Sequence, residues 1–126
     1  MKYIIKRDKD GEVEAWFDEG KVGLGDDFLH PVEHVIHHSP TGFEVGYGGS
    51  GPADLALSIL CDALPDLGFG ADYNITIFDG ECDANAFALH QAFKWHFIAP
   101  MSRDGGEITM DQVFHWVDAR KEKIAI

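Results

Sequence analysis

The chain has 126 residues, 45% of them hydrophobic and 12% aromatic, which is enough for a core of its own and too apolar for a disordered segment. Its 10 Lys and Arg against 22 Asp and Glu give a formal charge of −12, which repels phosphate backbones and argues against direct nucleic-acid binding. No apolar run approaches the ~20 residues that cross a bilayer, and Met1 to Arg7 lacks the apolar stretch of a signal peptide, so no membrane partner and a cytoplasmic location are expected.

Tyr3 to Arg7 and Val13 to Asp18 are short β-branched and aromatic runs around Asp10-Gly11, a dipeptide suited to a tight turn, and they predict an N-terminal hairpin. Counted from Asp8, an EF-hand loop would need glycine sixth and glutamate twelfth. Here the glycine comes fourth and only Glu19 fits, so a calcium loop is not expected. From Glu19 to Ser39 the glycines and Pro31 break any long period, with Val32 to His38 as a short extended segment. Thr41 to Tyr47 reads as another. A helix follows, with Gly51 or Ser50 as its cap, Pro52 at its start, Leu55 to Leu64 buried on almost every side, and Pro65 helping to end it. Cys61 within it and Cys82 downstream have no CxxC spacing and are expected to be reduced thiols.

Tyr73 to Phe78 alternates as a strand does, and Asp79-Gly80 is a turn. Asp83 is placed to cap a helix through Ala84 to Gln91, after which Phe93 to Ile98 alternates like another strand closed by Pro100. Gly105-Gly106 opens a loop. Thr109 and Gln112 then form a capping box for a last helix running to about Lys121, with Arg120, Lys121 and Lys123 at its negative end. The order of elements predicts a single α+β domain over residues 1–126, a small antiparallel sheet packed against two or three helices.

Gly46, Gly48, Gly49 and Gly51 crowd the passage into the first secure helix, marking backbone that takes unusual conformations or lies close to something. Gly46-x-Gly48-x-x-Gly51 matches the dinucleotide fingerprint in letters. The fingerprint also needs a second strand ending near an acidic residue about 20 positions on, and Asp66 has no strand before it. A P-loop lysine is absent too. Asp54, placed in the first turn, is expected to occupy the positive helix end and oppose an anion there.

The run His38-Ser39-Pro40-Thr41-Gly42-Phe43-Glu44-Val45-Gly46-Tyr47-Gly48-Gly49-Ser50-Gly51-Pro52-Ala53-Asp54-Leu55-Ala56-Leu57 resembles the signature of a small family of uncharacterised proteins common in phages and prophages. Phe93 to Pro100 is similar to that family's second characteristic stretch, and the closing amphipathic helix agrees. Val45 stands where the signature has tryptophan. The resemblance implies an accessory protein of a mobile element, acting in the host cytoplasm, and carries no catalytic residues with it.

His30, His34, His37 and His38 lie close together with Glu33 among them, but no HExxH motif or paired cysteines complete a ligand set. Ser50 is not in a Gly-x-Ser-x-Gly elbow, and no base and orienting acid are marked by spacing. Three functions remain open. The first is a non-enzymatic binder, a sponge, for a small anionic ligand such as a nucleotide immune signal, with Phe43, Tyr47, Gly48, Gly49, Ser50, Gly51 and Trp95 as ligand-binding residues and no cofactor. Its weakness is a shortage of arginine, since only Arg7, Arg103 and Arg120 exist and none is near the motif in sequence. The second is an acidic module that blocks a host protein through Glu12, Glu14, Asp18, Glu19, Asp26 and Asp27. The third is a metal-dependent enzyme built on His30 to His38. A pocket shared within a homo-oligomer is compatible with the first.

Overall fold

The computed structural model of the protein describes residues 1–20 and 28–124. Gly23, Gly25, Asp26 and Asp27 therefore lie outside the described residues. The architecture is α+β. Strands β1 (Lys2–Arg7) and β2 (Val13–Asp18) form the hairpin that the Asp-Gly step predicts, with Gly11 at φ 86° in its turn. Asp8, first residue of the rejected calcium loop, accepts the Asp10 and Glu12 N–H at 2.8 and 3.0 Å and so closes this turn. Strand β3 (Leu29–Pro31) pairs with β2, and the sheet order is β3-β2-β1-β6, antiparallel at each neighbour.

The last of these, β6 (Gly105–Thr109), corrects the loop expected at Gly105-Gly106. Glycine is what lets it pair. A Cβ on Gly105, at φ 109°, would run into the Ile5 carbonyl, so a side chain here would push β6 off β1. Along the sheet's inner face Tyr3, Ile5, Ala15, Phe17 and Ile108 join one core with helix α1 (Ser50–Leu67).

Helix α1 starts at an extended Gly49 with no side-chain cap, so neither Ser50 nor Gly51 caps it, and Pro52 sits within the first turn where no intrahelical N–H is required. Nor does Pro65 stop it. The helix runs on to Leu67 and ends where Gly68, at φ 82°, returns its N–H to Leu64 and Pro65; a proline in the last turn removes one bond only. A two-stranded hairpin of β4 (Asn74–Ile77) and β5 (Gly80–Asp83) leads into α2 (Ala84–Phe93), capped by Asp83 through the Asn85 and Ala86 N–H at 2.9 Å. The expected strand at Phe93 to Ile98 is instead a π-helical turn, Lys94–Ile98, continuous with α2 and closed by the Ala99 N–H on the Lys94 carbonyl at 2.8 Å. The wider turn buries Phe93 and Ile98 together although they are five apart, a spacing that imitated neither helix nor strand cleanly. Helix α3 (Met110–Asp118) begins with the expected capping box of Thr109 and Gln112.

The extended segment expected at Val32 to His38 is not a strand. Val32 adds one bond to the Ala15 carbonyl at 2.9 Å, and beyond it the backbone is held by side chains of α1. Asp54, Ser58 and Asp62 fall on one stripe of this largely apolar helix. Ser58 Oγ accepts the Val35 N–H at 2.8 Å, and the Asp54 carboxylate accepts the N–H of His37, His38 and Ser39 at 3.2, 2.8 and 2.9 Å. His34 Nε2 adds a fourth bond at 2.9 Å, so that nitrogen carries the proton. Asp62 accepts the Tyr3 hydroxyl at 2.7 Å and lies 3.4 Å from His30 Nε2. Asp54 is fully buried, and removing its carboxylate orphans several N–H groups at once. Asp54→Ala is expected to lose about 3 kcal/mol or more of stability by urea denaturation, well beyond Asp18→Ala on the exposed hairpin.

Candidate functional site

The glycine-rich passage lies on the π-helical turn. Gly46 takes φ 87° and donates its N–H to the Ile98 carbonyl at 3.1 Å; the Gly48 carbonyl accepts the Lys94 ammonium at 3.2 Å. Gly48 itself rests against the indole of Trp95, where a Cβ would overlap the ring, and the Cβ position of Gly49 is filled by the ring of Tyr47. Gly51 lies as close to the Glu44 side chain, 2.8 Å from a would-be Cβ. Each of these three glycines is thus explained by a neighbour of its own chain. Lys94, brought inward by the π turn and buried, has its ammonium 4.5 Å from the Trp95 ring centroid and no carboxylate within ion-pair range among the described residues.

Thr41 to Tyr47 makes no strand; only an isolated bridge joins Phe43 to Val13. What fixes this stretch is Glu44, whose oxygens take two bonds from the Arg7 guanidinium at 2.7 and 3.1 Å. That pairing holds the Glu44 carboxyl below its usual range. With Glu44 so occupied, two clefts open on either side of Tyr47. One, of about 230 Å³, is lined by Phe43, Tyr47, Ser50 and Gly51 from the expected site, together with Gly11, Glu12, Val13, Ser39, Thr41, Gly42 and Glu44. The other, of about 430 Å³, is lined by Glu44, Val45, Gly46, Tyr47, Met101 and Arg103. Gly48, Gly49 and Trp95 line neither; the two glycines pack on the rings of Trp95 and Tyr47, and Trp95 itself is largely exposed. Arg103 answers the shortage of arginine noted in the sequence. It arrives through the turn that links the π-helical turn to β6, a placement with no signal at the motif itself.

Asp54 is not the obstacle to an anion that the sequence implied. It lies beyond the first turn of α1, and its carboxylate points at the backbone of residues 37–39. The acidic residues considered for a protein partner are partly occupied as well, Glu14 by the Trp16 indole N–H at 3.0 Å and Asp18 by the Gly20 N–H at 2.8 Å.

The histidines separate into pairs. His30 turns to Asp62 and His34 to Asp54, while His37 Nδ1 accepts the Phe78 N–H at 3.0 Å. His38 faces a residue that the sequence reading had not connected with it, His90 on α2, Nε2 to Nε2 at 2.9 Å. His90 donates from Nδ1 to the Phe87 carbonyl, so its neutral Nε2 accepts and His38 supplies the proton. Among the described residues no group of three or more His, Cys, Asp or Glu is gathered as a metal site would gather them. Cys61 and Cys82 are free thiols, and burial pushes the first up to about 12.

The family model that matches over residues 6–74 is a family of unknown function, DUF6166. The chain belongs to that family. The matched span includes the glycine loop and α1 and stops before the π-helical turn that supports them. No curated protein and no solved structure matches the chain. Among the described residues no helix is long and apolar enough to cross a membrane.

Two outcomes follow from the packing. Gly48→Ala is expected to destabilise the fold by about 1–3 kcal/mol, and Trp95→Ala in the same chain to recover part of that loss in a urea double-mutant cycle. Burial, reinforced by neighbouring imidazoles, pushes His38 and His90 below the ordinary histidine range. The unfolded chain therefore binds protons first as pH falls through about 6.5, and stability drops there. Urea midpoints at about pH 7.5 and about pH 5.5 should show that drop, and His90→Asn should reduce it.

Proposed function

We propose that this member of the family is a non-catalytic binding protein for a small organic anion of the nucleotide class, held where Arg103 meets the glycine loop. In the phage setting that the sequence resembles, its role is that of a sponge, sequestering a nucleotide signal in the host cytoplasm. The observation that carries the reading is the convergence of Arg103, the half-exposed Tyr47 and Gly46 on one cleft.

The chemistry supports it in three ways. Glu44 is neutralised by Arg7, so Arg103 is left to pair with a ligand rather than with the carboxylate beside it. A phosphate suits a guanidinium fork, and a flat ring suits Tyr47. The neighbouring start of α1 has no side-chain cap, leaving its first N–H groups without a competing carboxylate. A chain of charge −12 needs such local compensation to hold an anion at all.

Isothermal titration of the full chain against linear and cyclic mono- and dinucleotides tests this directly. At least one is expected to bind, with Arg103→Ala and Tyr47→Ala each weakening it by about tenfold or more and Lys123→Ala leaving it unchanged. A panel without heat, or binding indifferent to Arg103, overturns the reading.

A further inference from the structure

The cleft on the other side of Tyr47 has a different chemistry from the one that holds Arg103. No lysine or arginine lines it, so an anion finds no cationic side chain there. A hard divalent cation fits no better, since such ions take six or more oxygens with several carboxylates among them. Both oxygens of Glu44 are held by Arg7, whose guanidinium also repels a cation at that wall. This leaves Glu12 as the one free carboxylate of the cleft among the described residues, on the exposed hairpin turn.

Around Glu12 the lining carries hydroxyl groups. Ser39 Oγ donates to the Gly42 carbonyl at 2.9 Å, so Thr41 Oγ1, at 3.4 Å, is the donor of their contact and one Ser39 lone pair remains as an acceptor. Ser50, at the uncapped start of α1, has a hydroxyl that can both donate and accept. A carboxylate with hydroxyls around it, beside an Arg7 guanidinium already taken by Glu44 and the Gly11 carbonyl, is matched by a neutral ligand with adjacent hydroxyls of its own. One ligand hydroxyl then donates to Glu12 and the other to Ser39, and one of the two accepts from Ser50. The volume of about 230 Å³ suits one sugar ring and is small for a whole nucleotide. Tyr47 and Glu44 line both clefts, so a ligand can lie across the two.

We infer that the polar cleft recognises a vicinal diol, the ribose of the ligand whose phosphate is held by Arg103, and that Glu12 is the acceptor distinguishing ribose from deoxyribose. The link to a phosphate rests on the reading of the preceding subsection; the diol site does not.

The two can be separated by amide chemical-shift mapping of the full chain with neutral methyl β-ribofuranoside, with its 2-deoxy counterpart and with inorganic pyrophosphate. The riboside is expected to move the amides of Thr41, Gly42, Ser50 and Gly51, the deoxyriboside to leave them in place, and Glu12→Gln to abolish the riboside shifts. Pyrophosphate should still move Gly46, Tyr47 and Arg103 in that variant, whose spectrum also shows that it is folded. Equal responses to the two ribosides, riboside shifts that survive Glu12→Gln, or none at those amides, overturn the diol site whatever pyrophosphate does. Riboside shifts without a pyrophosphate response leave the diol site standing and remove the anion reading.

Discussion

A buried carboxylate on an apolar helix is the constraint on which the rest of this structure depends. Asp54 lies fully inside, where desolvation of the charge costs several kcal/mol, and it is tolerated because three backbone N–H groups and the His34 imidazole converge on it. Those N–H groups belong to a stretch that has no strand partner. Asp54 and Ser58 therefore do for residues 35–39 what a neighbouring strand does for a ladder, accepting backbone N–H groups, while Asp62 meets the His30 side chain of β3. The path of this stretch sets where Ser39 to Glu44 emerges, and with it the walls of both clefts.

The glycine loop is fixed by a second device, independent of the first. The Gly48 carbonyl and the Gly46 N–H meet Lys94 and Ile98, and Gly48 lies on Trp95, all from one π-helical turn. A loop held at several points along a short length presents its clefts ready formed, so little ordering cost falls on binding. The rings of Tyr47 and Trp95 divide the work. Trp95, itself largely exposed, packs on Gly48 while Tyr47 forms the wall between the clefts.

Local chemistry was legible in the sequence at several single positions, though not at the start and end of α1. The Asp10-Gly11 turn, the Asp83 cap and the Thr109 to Gln112 capping box all stand where their letters put them. The α+β class followed from the order of such elements. Phe93 to Ile98 misled because alternation of apolar and charged residues is common to a strand and to a π turn that buries Lys94 through a carbonyl and a ring. Gly105-Gly106 misled in the opposite sense, since glycine weakens a strand in general but is what this close pairing with Ile5 requires. Of the residues lining the two clefts, Phe43, Tyr47, Ser50 and Gly51 lie in the motif, whereas Glu12 and Arg103, like the His38 to His90 contact elsewhere, depend on chain reversals that no local pattern records.

The π-helical turn gives the family match a boundary that does not coincide with a folding boundary. A chain cut after residue 74 would keep every glycine of the loop and all of α1, yet lose Lys94, Trp95 and Ile98 beneath it and the β6 edge against β1. The exposed helix side and the unsupported loop would then offer apolar surface and free backbone groups to any neighbouring chain, the properties of an aggregating fragment. What the matched residues share as a sequence, they can hold as a shape only with the remainder of the chain folded beneath them.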